Sequence, residues 1–287
     1  MSIRTMTKED IAAAVGLIQR EGWGHTRVDL ERMLSLSPHG SYVWDSSGEV
    51  CGFITSMRYE RTAMIGHLLV SRDSRGRQIG RSLVGALMED IDSSGIDSSM
   101  LYATTDGSRL YRQFGFAESG HELVAIGIRV KDEERLSLKT ICEHVREEDL
   151  EEIASHDRIT FGDDRSELIA RLFREFPEHC FKLNESERVV GCIFGRRTPI
   201  GFDIGPWFCS TGRREDAAAL LESVIESFPS GGRIDISPFA SNADVPRIIA
   251  RYHKYRKAER VNLMIRGERR YDADVRSILG VVGFELG

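Results

Sequence analysis

The stretch Ile65–Ile91, IGHLLVSRDSRGRQIGRSLVGALMEDI, decides how the chain is read. Ile65, Leu68, Leu69 and Val70 form an apolar run of strand length. Ser71–Gln78 then holds no apolar residue and three arginines, Arg72, Arg75 and Arg77. From Gly80 onward Leu83, Val84, Leu87, Met88 and Ile91 fall on one helical stripe. The order is strand, tight loop, helix. A helix N-terminus leaves backbone N–H groups unpaired and carries positive potential, so it favours an anion. Gly76 and Gly80 allow that backbone to approach a phosphate closely. The stretch predicts a site for a phosphorylated cofactor. It is neither a P-loop, since no GxxxxGK[ST] is present, nor the GxGxxG dinucleotide fingerprint.

Working outward, the 287 residues carry a formal net charge of −6 and are 41% hydrophobic and 29% charged. Such a composition fits a chain with a proper core and disfavours a sequence-independent nucleic-acid binder. MSIRTMTKEDI has no signal-peptide core, and no apolar run is of membrane-spanning length, so no membrane association and a cytoplasmic location are expected. The five cysteines, Cys51, Cys142, Cys180, Cys192 and Cys209, are irregularly spaced with no CxxC pair, which reads as reduced thiols. No metal is expected.

Toward the N-terminus, strands are expected at Ile3–Met6, Ser41–Trp44, Val50–Tyr59 and Thr62–Val70. A helix capped by Thr7 runs to about Glu21, and a second carries Val28–Leu36, with the loop GWGHT (Gly22–Thr26) between them. Beyond the opening stretch come a strand at Ser99–Ala103, a short helix at Gly107–Phe114 and a strand at His121–Val130, read as the last of the first half. Lys131–Lys139, charged and aperiodic, reads as a linker. The second half then repeats the order. RVVGCIFGR (Arg188–Arg196) parallels EVCGFITSM, with Gly52 and Gly191 separated by 139 residues. Leu220, Leu221, Val224, Ile225 and Phe228 repeat the stripe begun at Leu83, now 137 residues on. A nearly constant offset argues for two copies of one fold, divided as 1–132 and 138–287.

These motifs together resemble the GNAT superfamily of acetyl-CoA-dependent N-acetyltransferases. RGRQIG (Arg75–Gly80) is similar to its pyrophosphate loop and LYRQFGF (Leu110–Phe116) to its second hallmark. REGWGHT, GEVCGFI, ATTDGSRLYRQFGF and the closing GFELG resemble two-domain members with a diverged C-terminal copy. The resemblance implies an α/β (α+β) class: two tandem GNAT-like domains, each a mixed, mostly antiparallel twisted sheet flanked by helices. It implies that two strands splay at a bulge to admit the pantetheine arm of acetyl-CoA beside Leu68, Leu69 and Val70. The pyrophosphate would rest on Arg75, Gly76, Arg77, Gln78, Ile79, Gly80 and Arg81. Gln78 stands where the family usually has glycine; the change keeps an N–H and is costly only at φ > 0.

By the same resemblance Tyr111 protonates the departing thiolate, a packed aromatic being its plain structural reading. Trp23, His25 and Thr26 would line the acceptor pocket, with Trp23 readable equally as hydrophobic packing. His67 is a candidate general base or simply a core histidine. In the second copy, position-by-position transfer puts Arg213, Glu215, Asp216 and Ala217 where Gly76, Gln78, Ile79 and Gly80 stand. The acidic pair repels a pyrophosphate. The expected activity is acetyl transfer to a primary amine of a small-molecule or peptide acceptor, by direct attack in a ternary complex. The alternative is an acyl-CoA-binding sensor with little turnover. Homo-oligomer formation is left open.

Overall fold

The computed structural model describes residues 2–130, 140, 142–229, 231–255, 258–268 and 275–287. The linker read at Lys131–Lys139 lies outside them. The chain forms two compact units, each assembled from separate segments. The first takes Met1–Gly120, Asn262–Arg270 and Phe284–Gly287; the second takes His121–Val261 and Tyr271–Gly283. These units do not follow a contiguous division at residues 132 and 138.

In the first unit the order is β1 (Ser2–Thr5), α1 (Ile11–Arg20), α2 (Arg27–Leu36), β2 (Tyr42–Ser46), β3 (Glu49–Arg58) and β4 (Thr62–Val70). It continues with α3 (Ile79–Ser93), β5 (Ser98–Ala103), α4 (Thr105–Arg112) and the start of β6 (Ala117–Arg129). Strands β1 to β4 pair antiparallel in sequence order, and β4 pairs parallel with β5. The far side of β5 is taken by residues of β13 (Glu259–Gly267), with Asn262 opposite Ala103 and Gly267 opposite Ser98. Leu83, Val84, Leu87, Met88 and Ile91 of α3 are buried against Ile54, Ile65, Leu101 and Met264, so the stripe read from the sequence is the core face of this helix. Thr26 caps α2: its hydroxyl accepts the Asp29 N–H at 3.2 Å while its own N–H donates to the Asp29 carboxylate at 2.7 Å.

The second unit holds β7 (Glu143–His144), α5 (Leu150–Phe161), α6 (Ser166–Glu175), β8 (Cys180–Glu185), β9 (Arg188–Thr198) and β10 (Gly201–Cys209). It also holds α7 (Arg214–Glu226), β11 (Arg233–Ile236), α8 (Asp244–Ile248), β12 (His253–Lys254) and β14 (Ile278–Gly280). Strands β7 to β10 are antiparallel neighbours and β10 pairs parallel with β11. Beyond β11 lies β6, with Ile126–Arg129 opposite Ile236–Arg233. Each unit therefore repeats one strand plan, and the last strand of each plan comes from the other half of the sequence. This corrects the reading of His121–Val130 as the closing strand of the first half. Both β6 and β13 carry an apolar run of strand length, Leu123–Ile126 and Leu263–Ile265, so local pattern fits either slot.

Candidate active site in the first unit

The site is built on β4 and the loop that follows it. β3 and β4 pair in register from Arg58–Ala63 to Thr55–Gly66, after which Phe53 faces Leu69. β4 thus carries an extra residue in a bulge. His67 lies in that bulge with φ +44°, a left-handed conformation uncommon outside glycine. On its other edge β4 pairs with β5 only from Thr62–Ser98 to Ile65–Leu101. The strands then part while β4 runs on to Val70. Leu69 and Val70 keep their partners on the β3 side, and among the described residues their other edge pairs with no strand.

The loop Ser71–Gln78 reaches α3 through Gly76, at φ +78°, and Gln78, at φ +62°. The first bond of the α3 ladder runs from Ser82 N–H to the Gln78 carbonyl at 3.0 Å. The N–H groups of Ile79, Gly80 and Arg81 therefore stand outside the ladder at the positive end of the helix. A Cβ on Gly80 would come no closer than 3.8 Å to Val70 Cγ2. Packing within the protein therefore does not demand glycine there. At Gly76 a Cβ would meet nothing within 4 Å, and its positive φ accounts for the residue.

Of the loop arginines, Arg75 donates to the Val70 carbonyl at 3.1 Å and to Glu21 at 2.8 Å, and Arg72 donates to Glu21 at 3.1 Å. Their pull holds the Glu21 carboxyl below the usual range, Arg72 contributing most. Arg75, expected at the pyrophosphate, thus also fastens the loop to the end of α1, together with Arg72. Arg77 is exposed, and Arg81 donates to Gln113.

Tyr111 lies in the last turn of α4, half-buried, its ring edge-on to Phe116 at 5.9 Å. Burial pushes its hydroxyl above the ordinary tyrosine range, which keeps the proton on oxygen at neutral pH. The Gly22–Thr26 loop brings two expected pocket residues to the bulge. The His25 ring is 4.3 Å from that of His67, and the Trp23 ring 6.3 Å, with Trp23 43% exposed. Thr26, at the end of the same loop, caps α2. His67 is buried, its Nδ1 3.0 Å from Thr55 Oγ1, and burial lowers its pKa to about 3.

Glu285 was not singled out by the sequence reading. Its carboxylate lies 3.1 Å from His25 Nε2 and is buried. The segment is held by Tyr59, whose hydroxyl donates to the Leu286 carbonyl at 2.6 Å. Gly66 makes room for it, since a Cβ there would lie 2.4 Å from Glu285 Cβ. The available sign was a lone carboxylate between Phe284 and Leu286.

A profile of the acetyltransferase (GNAT) family matches residues 9–116, and one of the acetyltransferase (GNAT) domain matches residues 153–280. The chain is a tandem-domain GNAT acetyltransferase. It is 23% identical over 231 residues to an uncharacterized N-acetyltransferase, YitH, of Bacillus subtilis, covering 80% of this chain and 79% of that one. It is 21% identical over 217 residues to a holothin acyltransferase of a Pseudoalteromonas species, covering 75% and 71%. A solved putative acetyltransferase from Pyrococcus horikoshii shares the fold with a TM-score of 0.80 at 22% identity, over 100% of this chain and 95% of that chain.

The second GNAT domain differs in its strand-to-helix loop and in what lies beside β10. Its strand-to-helix loop is Ser210–Arg213, four residues against the eight of Ser71–Gln78. Arg213 there pairs with Asp216 at 3.1 Å and also with Glu185. The gap beyond the parallel pairing of β10 with β11, which ends at Ile204–Ile236, is filled by β14, with Trp207 opposite Gly280. Among the described residues no helix is long and apolar enough to cross a membrane. All five cysteines are free thiols.

Proposed function

We propose that the first GNAT domain transfers an acetyl group from acetyl-CoA to a primary amine of a small-molecule or peptide acceptor, by direct attack in a ternary complex. The contrast between the domains carries this reading. One has an open β4 edge and an eight-residue loop with ladder-free N–H groups; the other has that edge filled by β14 and the loop halved. The open edge fits the amides of a pantetheine arm, and the N–H groups of Gly76–Arg81 fit its pyrophosphate.

A backbone N–H in Leu68–Val70, next to the His67 bulge, would polarise the thioester carbonyl as charge builds on its oxygen. The neutral amine attacks the carbonyl carbon, and the C–S bond breaks as the tetrahedral intermediate collapses. Tyr111, kept protonated by burial, hands a proton to the departing thiolate, and the proton lost by the attacking nitrogen passes through water to restore the tyrosine hydroxyl. Placement of amine and thioester supplies much of the rate. The exposed Trp23 forms a wall against which the acceptor packs.

The test is a thiol-release assay with acetyl-CoA over panels of amines and peptides. Turnover with a primary amine is expected, with kcat falling about 100-fold in Tyr111→Phe. Binding of acetyl-CoA without turnover of any amine would favour the sensor reading. An unchanged kcat in the variant would remove Tyr111 from the mechanism.

A further inference from the structure

We propose that His25, His67 and Glu285 bind a divalent transition-metal ion, zinc foremost. Three remote segments deliver these side chains: the loop between α1 and α2, the β4 bulge and the 284–287 segment. One ligand atom from each lies within 4.8 Å of the other two. The His25 Nε2–Glu285 Oε2 separation is 3.1 Å. Ligands about 2.0–2.1 Å from a tetrahedral zinc sit roughly 3.3 Å apart, so this pair already spans one edge of such a polyhedron.

His67 makes the third ligand specific. Its Nδ1 is 3.0 Å from Thr55 Oγ1, the outer hydrogen bond that metal-binding histidines use to fix tautomer and ring orientation. With Nδ1–H donating to Thr55, the lone pair of Nε2 is left for a cation. Nε2 is buried and has no hydrogen-bond partner among the described residues. A buried polar nitrogen in that state is costly and asks for an explanation. The His25–Glu285 contact accounts for two of the three groups and leaves His67 Nε2 unexplained; a cation accounts for all three.

The backbone is shaped for the same purpose. His67 takes a left-handed φ of +44°, strain of the kind that persists where the surroundings impose a functional geometry. Gly66 beside it lacks the Cβ that would strike Glu285. Two imidazoles and one carboxylate are the donor set of three-ligand zinc sites, which keep a fourth position for water or another small ligand. This inference stands apart from the acyl-transfer reading and reverses the expectation of no metal.

The whole chain, dialysed against a chelator and then against metal-free buffer, is titrated with Co²⁺ and Zn²⁺. The expected result is one equivalent of Co²⁺ with the visible absorption of a tetrahedral site, displaced by Zn²⁺. His67→Gln and Glu285→Gln should each weaken binding by more than about 100-fold, and Thr55→Val by about 10-fold. His25→Gln, on a partly exposed loop, covers the case in which the core variants fail to fold, and should also lose the spectrum. Absence of one-to-one Co²⁺ binding in the unaltered protein, or binding unchanged in both His25→Gln and Glu285→Gln, would overturn the site.

Discussion

Gly280 lies opposite Trp207 in the second unit, where the chain itself occupies the gap that opens beyond Ile65 and Leu101 in the first. The two domains share one strand plan and differ in what lies beside the fourth strand of each. In the second it is β14, which also pairs Ile278 with Phe208. A domain that supplies its own strand there has no edge left for a pantetheine arm, and this argues that the cofactor site is single.

Gln78 is the residue at which backbone cost and function meet. It caps α3 with φ +62° and ψ 9°. Such a left-handed residue costs roughly 1–2 kcal/mol unless it is glycine. Gln78→Gly should therefore raise stability by about 1 kcal/mol in urea unfolding. An unchanged or lower midpoint would show that the Gln78 side chain repays its strain.

Gly66 is predicted to be intolerant for a different reason. Its φ is ordinary, but a Cβ would lie 2.8 Å from Glu285 Cα and 2.4 Å from Glu285 Cβ. Gly66→Ala should destabilise by about 1–3 kcal/mol through overpacking and loosen the 284–287 segment. Limited proteolysis near residue 284 reads that loosening directly. Wild-type resistance in the variant would mean that the segment yields without cost.

Acid should unfold the first unit partly through Asp10. Arg4 grips its carboxylate with two bonds, 2.7 and 2.8 Å long, and the Thr7 N–H adds a third at 2.8 Å. Arg4 is the largest cause of its lowered pKa. A depressed folded pKa gives stability that is complete above the unfolded value, about 3.9, and is lost as pH falls through the folded one. Asp10→Asn should thus narrow the stability difference between pH 6 and pH 3 in urea unfolding. An undiminished difference would assign the acid sensitivity to other carboxylates.

Much of this was legible because it is local. The bounds of β4 and the buried stripe of α3 follow from apolar spacing within the opening stretch, and the arginine-rich loop with Gly76 announces its helix end. Gln78 was visible as a departure, but its φ was not, since a side chain does not state its backbone angle. The exchange of β6 and β13 could not be read, because each carries a short apolar run and either satisfies either slot. Glu285 meets His25 and His67 only through folding across most of the chain, and no spacing rule joins residues 25, 67 and 285. β14 was missed for the same reason: Ile278–Gly280 is too short to read as a strand until β10 is beside it.

Isothermal titration of the whole chain with acetyl-CoA counts its cofactor sites, of which one is expected, in the first domain. One molecule should bind per chain, and none when Gly76 and Gly80 are both replaced by tryptophan in a protein whose circular dichroism is unchanged. Two molecules per chain, no binding to the unaltered protein, or undiminished binding in the double variant would contradict it.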